Sequence, residues 1–424
     1  MLGGNWSKKL KFLKKLGPGV ITGASDDDPS GIATYSIAGA AAGYATLWTA
    51  LITFPLMSAI QEMCARIGLV TGRGLAGIIG EHYPKFVLYP VAFLAVFSIT
   101  LNIGADIAGL AESAHLVIPV HPTILALAAT IIILFLLINF SYRQIAASLK
   151  WLTFALFAYI LTGIITKQDW LAILFHTFVP TIRFDATFLS LIVAILGTTI
   201  SPYLFVWQTS EEVEEKTEQG KIIPTRKIQI VTKHELKGMK EDVTFGMFFS
   251  NLVMFFIIAT TASTLATGGS GEIQTAAQAA LALKPLAGNG AFLLFAVGIV
   301  GTGMLAIPVL AGAAAYVMSE TFGWQEGLSK KFHQAKSFYI VIVVSTALGF
   351  LINLLGFNPF KLLFYTAVIY GLISPILIVL ILHIANRKEI MGAAKNGLVS
   401  NLLGGLALIL MTLAAVFLFV TWGK

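Results

Sequence analysis

Gly23-Ala-Ser-Asp-Asp-Asp-Pro-Ser-Gly31 decides how this sequence is read. Three carboxylates, a proline and a glycine interrupt an apolar run that extends from about residue 17 to residue 43. A charge at bilayer depth costs on the order of 2.5–3.5 kcal/mol and persists where it faces a cavity or an ion. Proline removes a backbone donor and frees upstream carbonyls, which then become candidate ion ligands. A second interruption, Gly197-Thr-Thr-Ile-Ser-Pro-Tyr203, divides another apolar run, and Pro202 follows Pro29 by 173 residues. Paired discontinuous helices at corresponding places in two halves point to a midplane site in a secondary transporter.

The chain around these breaks has 424 residues, 57% hydrophobic and only 12% charged, with a mean hydropathy of +0.85. A soluble domain carries roughly 25% charged residues, and one soluble core cannot hide this much apolar surface. A soluble enzyme is excluded. Eleven apolar stretches read as spans: 17–43, 45–69, 86–117, 121–140, 145–166, 185–210, 243–267, 289–318, 337–355, 359–384 and 398–422. Several exceed the roughly 20 residues a bilayer-spanning helix needs. With a cytoplasmic N-terminus and alternating sides, 23 of the 28 Lys and Arg fall on the inner face. Only Lys167, Arg183, Lys284, Lys361 and Lys424 remain outside, as the positive-inside rule expects. The expectation is a multi-pass protein of a bacterial-type plasma membrane, N-terminus in and C-terminus out.

The excess of 28 basic over 21 acidic residues then belongs to cytoplasmic loops, not to nucleic-acid binding. The lead through Lys8, Lys9, Lys11, Lys14 and Lys15 is basic and amphipathic, unlike a cleavable signal peptide. Cys64 stands alone, which excludes an intrachain disulfide and a multi-cysteine metal site. The seven histidines are scattered without paired-ligand spacing. No resident cofactor is expected, the bilayer is the one evident partner, and the sequence names no protein partner. The polar insert Glu211–Asp242 reads as a solvated cytoplasmic connection, with enough alternation over 221–233 for a small β-ribbon. The 268–289 segment, glycine-rich and then alanine-rich, reads as an extracellular loop with a short surface helix.

Gly17-Pro-Gly19, Asp28-Pro29, Ala33-Thr34 and Ala38-Gly39-Ala-Ala-Ala-Gly43-Tyr44 resemble the first helix of the NRAMP family of divalent-metal transporters. Gln61-Glu-Met-Cys-Ala-Arg66-Ile-Gly68-Leu-Val-Thr71-Gly72 is similar to the family's second helix, and Leu196-Gly197 to Pro202 matches the sixth in position. The likeness runs through spans one to ten and weakens after the seventh. It implies an all-α membrane protein of the LeuT-type fold with proton-linked uptake of Mn²⁺ or Fe²⁺. Two inverted five-helix repeats, about 17–166 and 185–384, would be followed by an eleventh helix at 398–422, all one transporter domain.

The departures from the family pattern are chemical. Where the family has Asp-Pro-Gly-Asn, this chain has Asp28-Pro29-Ser30-Gly31, which keeps the aspartate and loses the asparagine ligand. Where it has Met-Pro-His-Asn, this chain has Ser201-Pro202-Tyr203-Leu204. The family's ion-facing carbonyl falls at Thr198. The third helix keeps Asp106 but has Gly109 in place of glutamate, and residues 337–355 lack the family's ninth-helix arginine. The donors left to the resemblance are Asp28, Ser201, Tyr203 and the carbonyls of Ala24, Ser25 and Thr198. All are oxygen, which suits Mg²⁺, Ca²⁺ and Mn²⁺ better than soft metals. Mg²⁺ in particular keeps several waters and needs only one or two carboxylates. The bland alternative is that Ser201 only packs or serves a backbone carbonyl.

Further polar groups have two readings each. Asp26 and Asp27 form either an acidic vestibule or, for Asp27, a cap on the helix starting near Ser30. Asn102, Asp106 and Gly109 share one face of span three, with Glu112 about 60° away at helical pitch. Asp106 and Glu112 are therefore proton-relay candidates or structural partners. Glu62 and Arg66 are spaced to pair with each other. Glu211, Glu212, Glu214 and Glu215 form a solvated helix end or an ion funnel. Asn251 is placed to hold the broken helices by hydrogen bonds.

The leading expectation is a secondary transporter for Mn²⁺- or Mg²⁺-class cations, weakly coupled or uncoupled to protons. An amino-acid or organic-cation transporter of the same fold is the alternative, and the Asp26–Asp28 run argues against a carboxylate-bearing substrate. An integral-membrane enzyme would need a nucleophile–base pair or metal cluster, which the sequence does not offer. A channel would not need paired breaks.

Overall fold

The computed structural model describes residues 17–421, apart from 141–143, 146–153, 167, 224–225 and 267–272. The basic lead through Lys15, together with Arg143, Lys150, Lys167 and Lys424, lies outside the described residues, as does part of the 145–166 span. In chain order the helices are α1 (Pro18–Asp26), α2 (Pro29–Ala42), α3 (Trp48–Thr71), α4 (Leu75–His82), α5 (Lys85–His115) and α6 (Pro122–Asn139). Then come α7 (Phe157–Ile165), α8 (Trp170–Phe178), α9 (Ala186–Thr199), α10 (Pro202–Glu218) and α11 (Lys233–Thr264). The short α12 (Ala276–Ala280) precedes α13 (Ala291–Phe322), α14 (Lys336–Asn353), α15 (Pro359–Asn386) and α16 (Leu398–Thr421). Among the described residues eight helical segments, with Ala186–Glu218 and Ala276–Phe322 each taken as one, are long and apolar enough to cross a membrane. A ninth is the bent run Pro29–Thr46 plus Trp48–Thr71, which turns by 108°.

Both breaks fall where proline dictates. Pro29 opens α2 and Pro202 opens α10, each in the first turn, where a missing N–H leaves no bond unmade. A residue before proline is pushed out of the helical region. Asp28 accordingly has φ −71° and ψ 170°, and Ser201 has φ −93° and ψ 142°. Proline alone does not impose a break, since Pro55, Pro90, Pro308 and Pro375 lie inside continuous helices. The difference at the two breaks is a set of polar side chains that takes up the freed backbone groups.

Helix α11 packs along both halves of the first broken span. The contact with α1 is backbone to backbone: a Cβ on Gly246 would collide with the Gly19 carbonyl and crowd the Val20 Cα. Gly238, on the same helix, faces open space. Overpacking typically costs about 1–3 kcal/mol, whereas glycine to alanine in an open helix position gains up to about 1 kcal/mol. Gly246→Val is therefore expected to lower the thermal midpoint of the purified protein, and Gly238→Ala to leave it equal or higher. Equal midpoints for the wild type and Gly246→Val would contradict the close packing of α1 on α11.

The lateral surface is apolar, with Phe93, Phe135 and Ile131 among its exposed side chains, as lipid contact requires. Two details differ from the sequence reading. Among the described residues there is no strand in the 221–233 segment. Gln229 replaces a ladder there: its backbone N–H donates to Val70 O at 2.7 Å, and its side chain binds the N–H and the carbonyl of Ile223. Asn251 lies against Thr53 of α3 and does not bridge the broken helices; the neighbouring Ser250 binds the first break, at Asp26 and Asp27. The expected short helix after residue 268 is α12.

Candidate metal-cation site at the paired breaks

Asp28 sits at the centre, 1% exposed. It caps α2: Oδ1 accepts from the Gly31 N–H and from the Ser30 hydroxyl, both at 2.7 Å. The cap is thus Asp28 itself and not Asp27. Asn102 on α5 donates its Nδ2 to Asp28 Oδ2 at 3.0 Å and faces Asp106 Oδ2 at 3.4 Å. The shared face read from the i, i+4 spacing therefore meets the first break. Asp106 Oδ1 and Asn102 Oδ1 are buried with no hydrogen-bond partner among the described residues.

Across from this carboxylate stands the second break. The Ser201 hydroxyl is buried and has no hydrogen-bond partner among the described residues, and it caps nothing in α10. Tyr203 donates its hydroxyl to the Ser25 carbonyl at 2.9 Å, which joins the breaks directly. Its ring lies 5.8 Å from that of Tyr370 on α15. Ser374, also on α15, donates to the Ile200 carbonyl at 2.6 Å. A Cβ on Gly31 would stand 3.2 Å from Thr198 Oγ1 and 3.3 Å from the Asp26 carbonyl. The missing asparagine side chain has thus been replaced by close approach of the two broken spans. At Gly109 a Cβ would stand 2.8 Å from a Leu363 methyl, so an apolar side chain fills the space of the family's acid.

Asp26 and Asp27 are also buried, at 0% and 4% exposure, and do not line an open vestibule. They turn toward α11, where Ser250 donates to Asp26 Oδ2 and stands 3.4 Å from Asp27 Oδ1. Glu112 lies half-buried near the far end of α5, away from this cluster. Ala24 is half-buried, and Ser25 donates its own hydroxyl to Ile21 O at 2.9 Å. Among the described residues, no three His, Cys, Asp or Glu side chains form a metal-holding group. One carboxylate with hydroxyl and carbonyl oxygens fits a cation that keeps part of its water shell.

The ends of α1 and α10 away from the site are tied down by carboxylates. Asp242 on α11 accepts from the Gly17 and Gly19 N–H groups at 3.2 and 2.7 Å, covering the start of α1. Thr22 donates to Gln208 Oε1 at 2.6 Å, and Gln208 donates to Glu212 at 3.1 Å. Glu214 accepts from the Tyr316 hydroxyl and from the Leu328 and Ser329 N–H groups. Glu320 on α13 accepts from the Gly77 N–H at 2.9 Å and from Ser210 at 3.0 Å. Glu212 and Glu214 are therefore packed braces, and the solvated helix end of the sequence reading is corrected for both. Glu62 and Arg66 pair at 3.1 Å as their spacing indicates. Ser30, Ser250, Ser374, Gln208 and Tyr370 had no sequence signal beyond being polar groups in apolar runs.

Two broken spans meeting at a buried carboxylate define a multi-pass membrane transporter. The family model described as natural resistance-associated macrophage protein-like matches residues 19–421, and this chain belongs to that family of metal-cation transporters. It is a transporter and not an enzyme. The divalent metal cation transporter MntH of Burkholderia ambifaria is 26% identical over 389 residues, covering 90% of this chain and 82% of its own length. MntH of Acidiphilium cryptum is 26% identical over 436 residues, covering 99% and 92%. The crystal structure of the Eremococcus coleocola manganese transporter superimposes with a TM-score of 0.76 at 17% identity, covering 95% of this chain and 86% of that one. The fold is that structure's, the all-helical membrane arrangement that the resemblance to the family implied.

Proposed function

We propose that this chain moves hard, partly hydrated divalent cations of the Mn²⁺ and Mg²⁺ class across the plasma membrane by alternating access. The observation that carries this reading is the donor set at the breaks. Asp28 supplies one carboxylate, and the buried, unpartnered Ser201 hydroxyl stands in the place of the family's thioether. Carboxylate, hydroxyl and carbonyl oxygens accept Mg²⁺ and Mn²⁺ alike, whereas a thioether favours softer ions. The N-terminus is cytoplasmic, by the 23-to-5 bias of basic residues. The braced ends of α1 and α10 then lie inside, and inward opening separates Asp242 from the start of α1 and Thr22 from Gln208. Proton coupling is weak or absent.

The test is uptake into liposomes across a panel of Mn²⁺, Mg²⁺, Cd²⁺ and amino acids. The wild type is expected to discriminate poorly between Mn²⁺ and Mg²⁺ and to ignore amino acids. Ser201→Met is expected to raise the affinity for Cd²⁺ relative to Mg²⁺. An unchanged ratio would mean that Ser201 does not face the ion, and amino-acid uptake would overturn the proposal.

A further inference from the structure

The lateral surface between α3 and α11 carries a groove of about 540 Å³ that is separate from the paired breaks. Its apolar part is aromatic: Phe54 of α3 meets Phe248 of α11 edge to face at 5.8 Å, and Phe245 continues the wall. Its other end is charged, with Lys237, Lys240 and Glu241 beside Thr244. Lys240 and Phe248 are eight residues apart on one helix, about 12 Å along its axis at 1.5 Å per residue. That distance takes a ligand from a charged end into the apolar zone.

We propose that this groove binds one anionic phospholipid, its phosphate at Lys237 and Lys240 and an acyl chain along Phe245, Phe248 and Phe54. Three observations select this occupant. Phe245 and Phe248 are exposed on a helix that crosses the membrane, so the groove opens toward lipid. Its charged end is net basic: Lys237 makes only a long, exposed pair with Glu241 at 3.8 Å, and among the described residues Lys240 makes no ion pair. By contrast, Lys216 and Lys221 in the same basic segment are engaged by Glu235. The groove's own lining carries two lysines against one glutamate, so its charged end attracts an anionic headgroup. The inner leaflet, where the basic bias puts this end, is the anionic one.

The location gives the site a consequence for the fold. Asp242, Gly246 and Ser250 on the opposite side of α11 hold α1 and the first break. A lipid seated on Lys240 and Phe248 buttresses the same two turns from behind.

Native mass spectrometry of the purified protein, titrated with phosphatidylglycerol, phosphatidylethanolamine or phosphatidylcholine, tests the proposal. Phosphatidylglycerol is expected to bind at least fivefold more tightly than either zwitterionic lipid. Lys237→Gln with Lys240→Gln, two exposed substitutions that leave the core intact, is expected to bring the preference within twofold. Phe248→Ala is expected to weaken all three lipids without changing their order. Equal binding of the three lipids by the wild type would overturn the proposal, as would a preference that survives in the double variant. A lipid-free dimer that dissociates in the double variant would place a second copy in the groove and overturn it as well.

Discussion

Asp28→Ala is expected to abolish divalent-cation transport and to weaken ion binding by at least ~10-fold, because it removes the one family-type carboxylate ligand retained at the first break. The alanine variant has a second defect, since Asp28 also caps α2, and losing such a cap costs about 0.5–2 kcal/mol. Asp28→Asn separates the two roles. Asparagine caps helices as well as aspartate does, so this variant is expected to keep a near-native thermal midpoint. It loses the negative charge, and transport is expected to disappear with it. Calorimetric Mn²⁺ and Mg²⁺ binding, with uptake into liposomes at matched protein content, reads both effects. Wild-type uptake by either variant would remove Asp28 from the site.

The dual role of Asp28 also shows what the sequence could and could not reveal. The breaks were legible because proline acts locally: it fixes its own φ and moves its predecessor out of the helix. Asp28, Ser201 and Tyr203 adjoin those prolines and entered as ion-ligand candidates through the resemblance to the family, and Asn102 was legible as the neighbour of Asp106 on one helical face. The partners that complete the site come from distant helices. Ser374 reaches Ile200 across 174 residues, and Ser250 reaches Asp26 across 224. Nothing in the local sequence distinguishes these serines from other serines in apolar runs. Asn251 shows the same limit from the other side: it is one residue from Ser250, and the 100° step between successive residues of a helix turns it toward α3. The 221–233 segment alternates like a strand, but one glutamine side chain satisfies the backbone that a ladder would have used. The acidic run at 211–215 looks solvated by composition, yet Glu214 finds three donors on and beyond α13.

Metal entry is expected to proceed with little or no accompanying proton movement. Coupling needs a group inside the bundle that changes protonation in step with the transport cycle, usually an acid, a histidine or a charged relay. The family's histidine position is Tyr203, whose hydroxyl is committed to the Ser25 carbonyl. The family's acid on the third helix is replaced by Gly109, and Leu363 fills the space beside it. Helix α14 has no basic residue after Lys336 at its start. Asp106 meets Asp28 through Asn102, and α14 offers no basic residue after Lys336 to carry a proton further. Liposomes holding a pH-sensitive dye and exposed to external Mn²⁺ or Mg²⁺ provide the measurement. The expected record shows metal entering while the dye stays flat, with uptake rising as the interior is made negative. The membrane potential supplies about 2.3 kcal/mol per charge per 100 mV, enough to drive a divalent cation inward without protons. Strong acidification that follows the metal and vanishes in Asp106→Asn would show that Asp28, Asn102 and Asp106 form a working proton path, and would overturn the uncoupled reading.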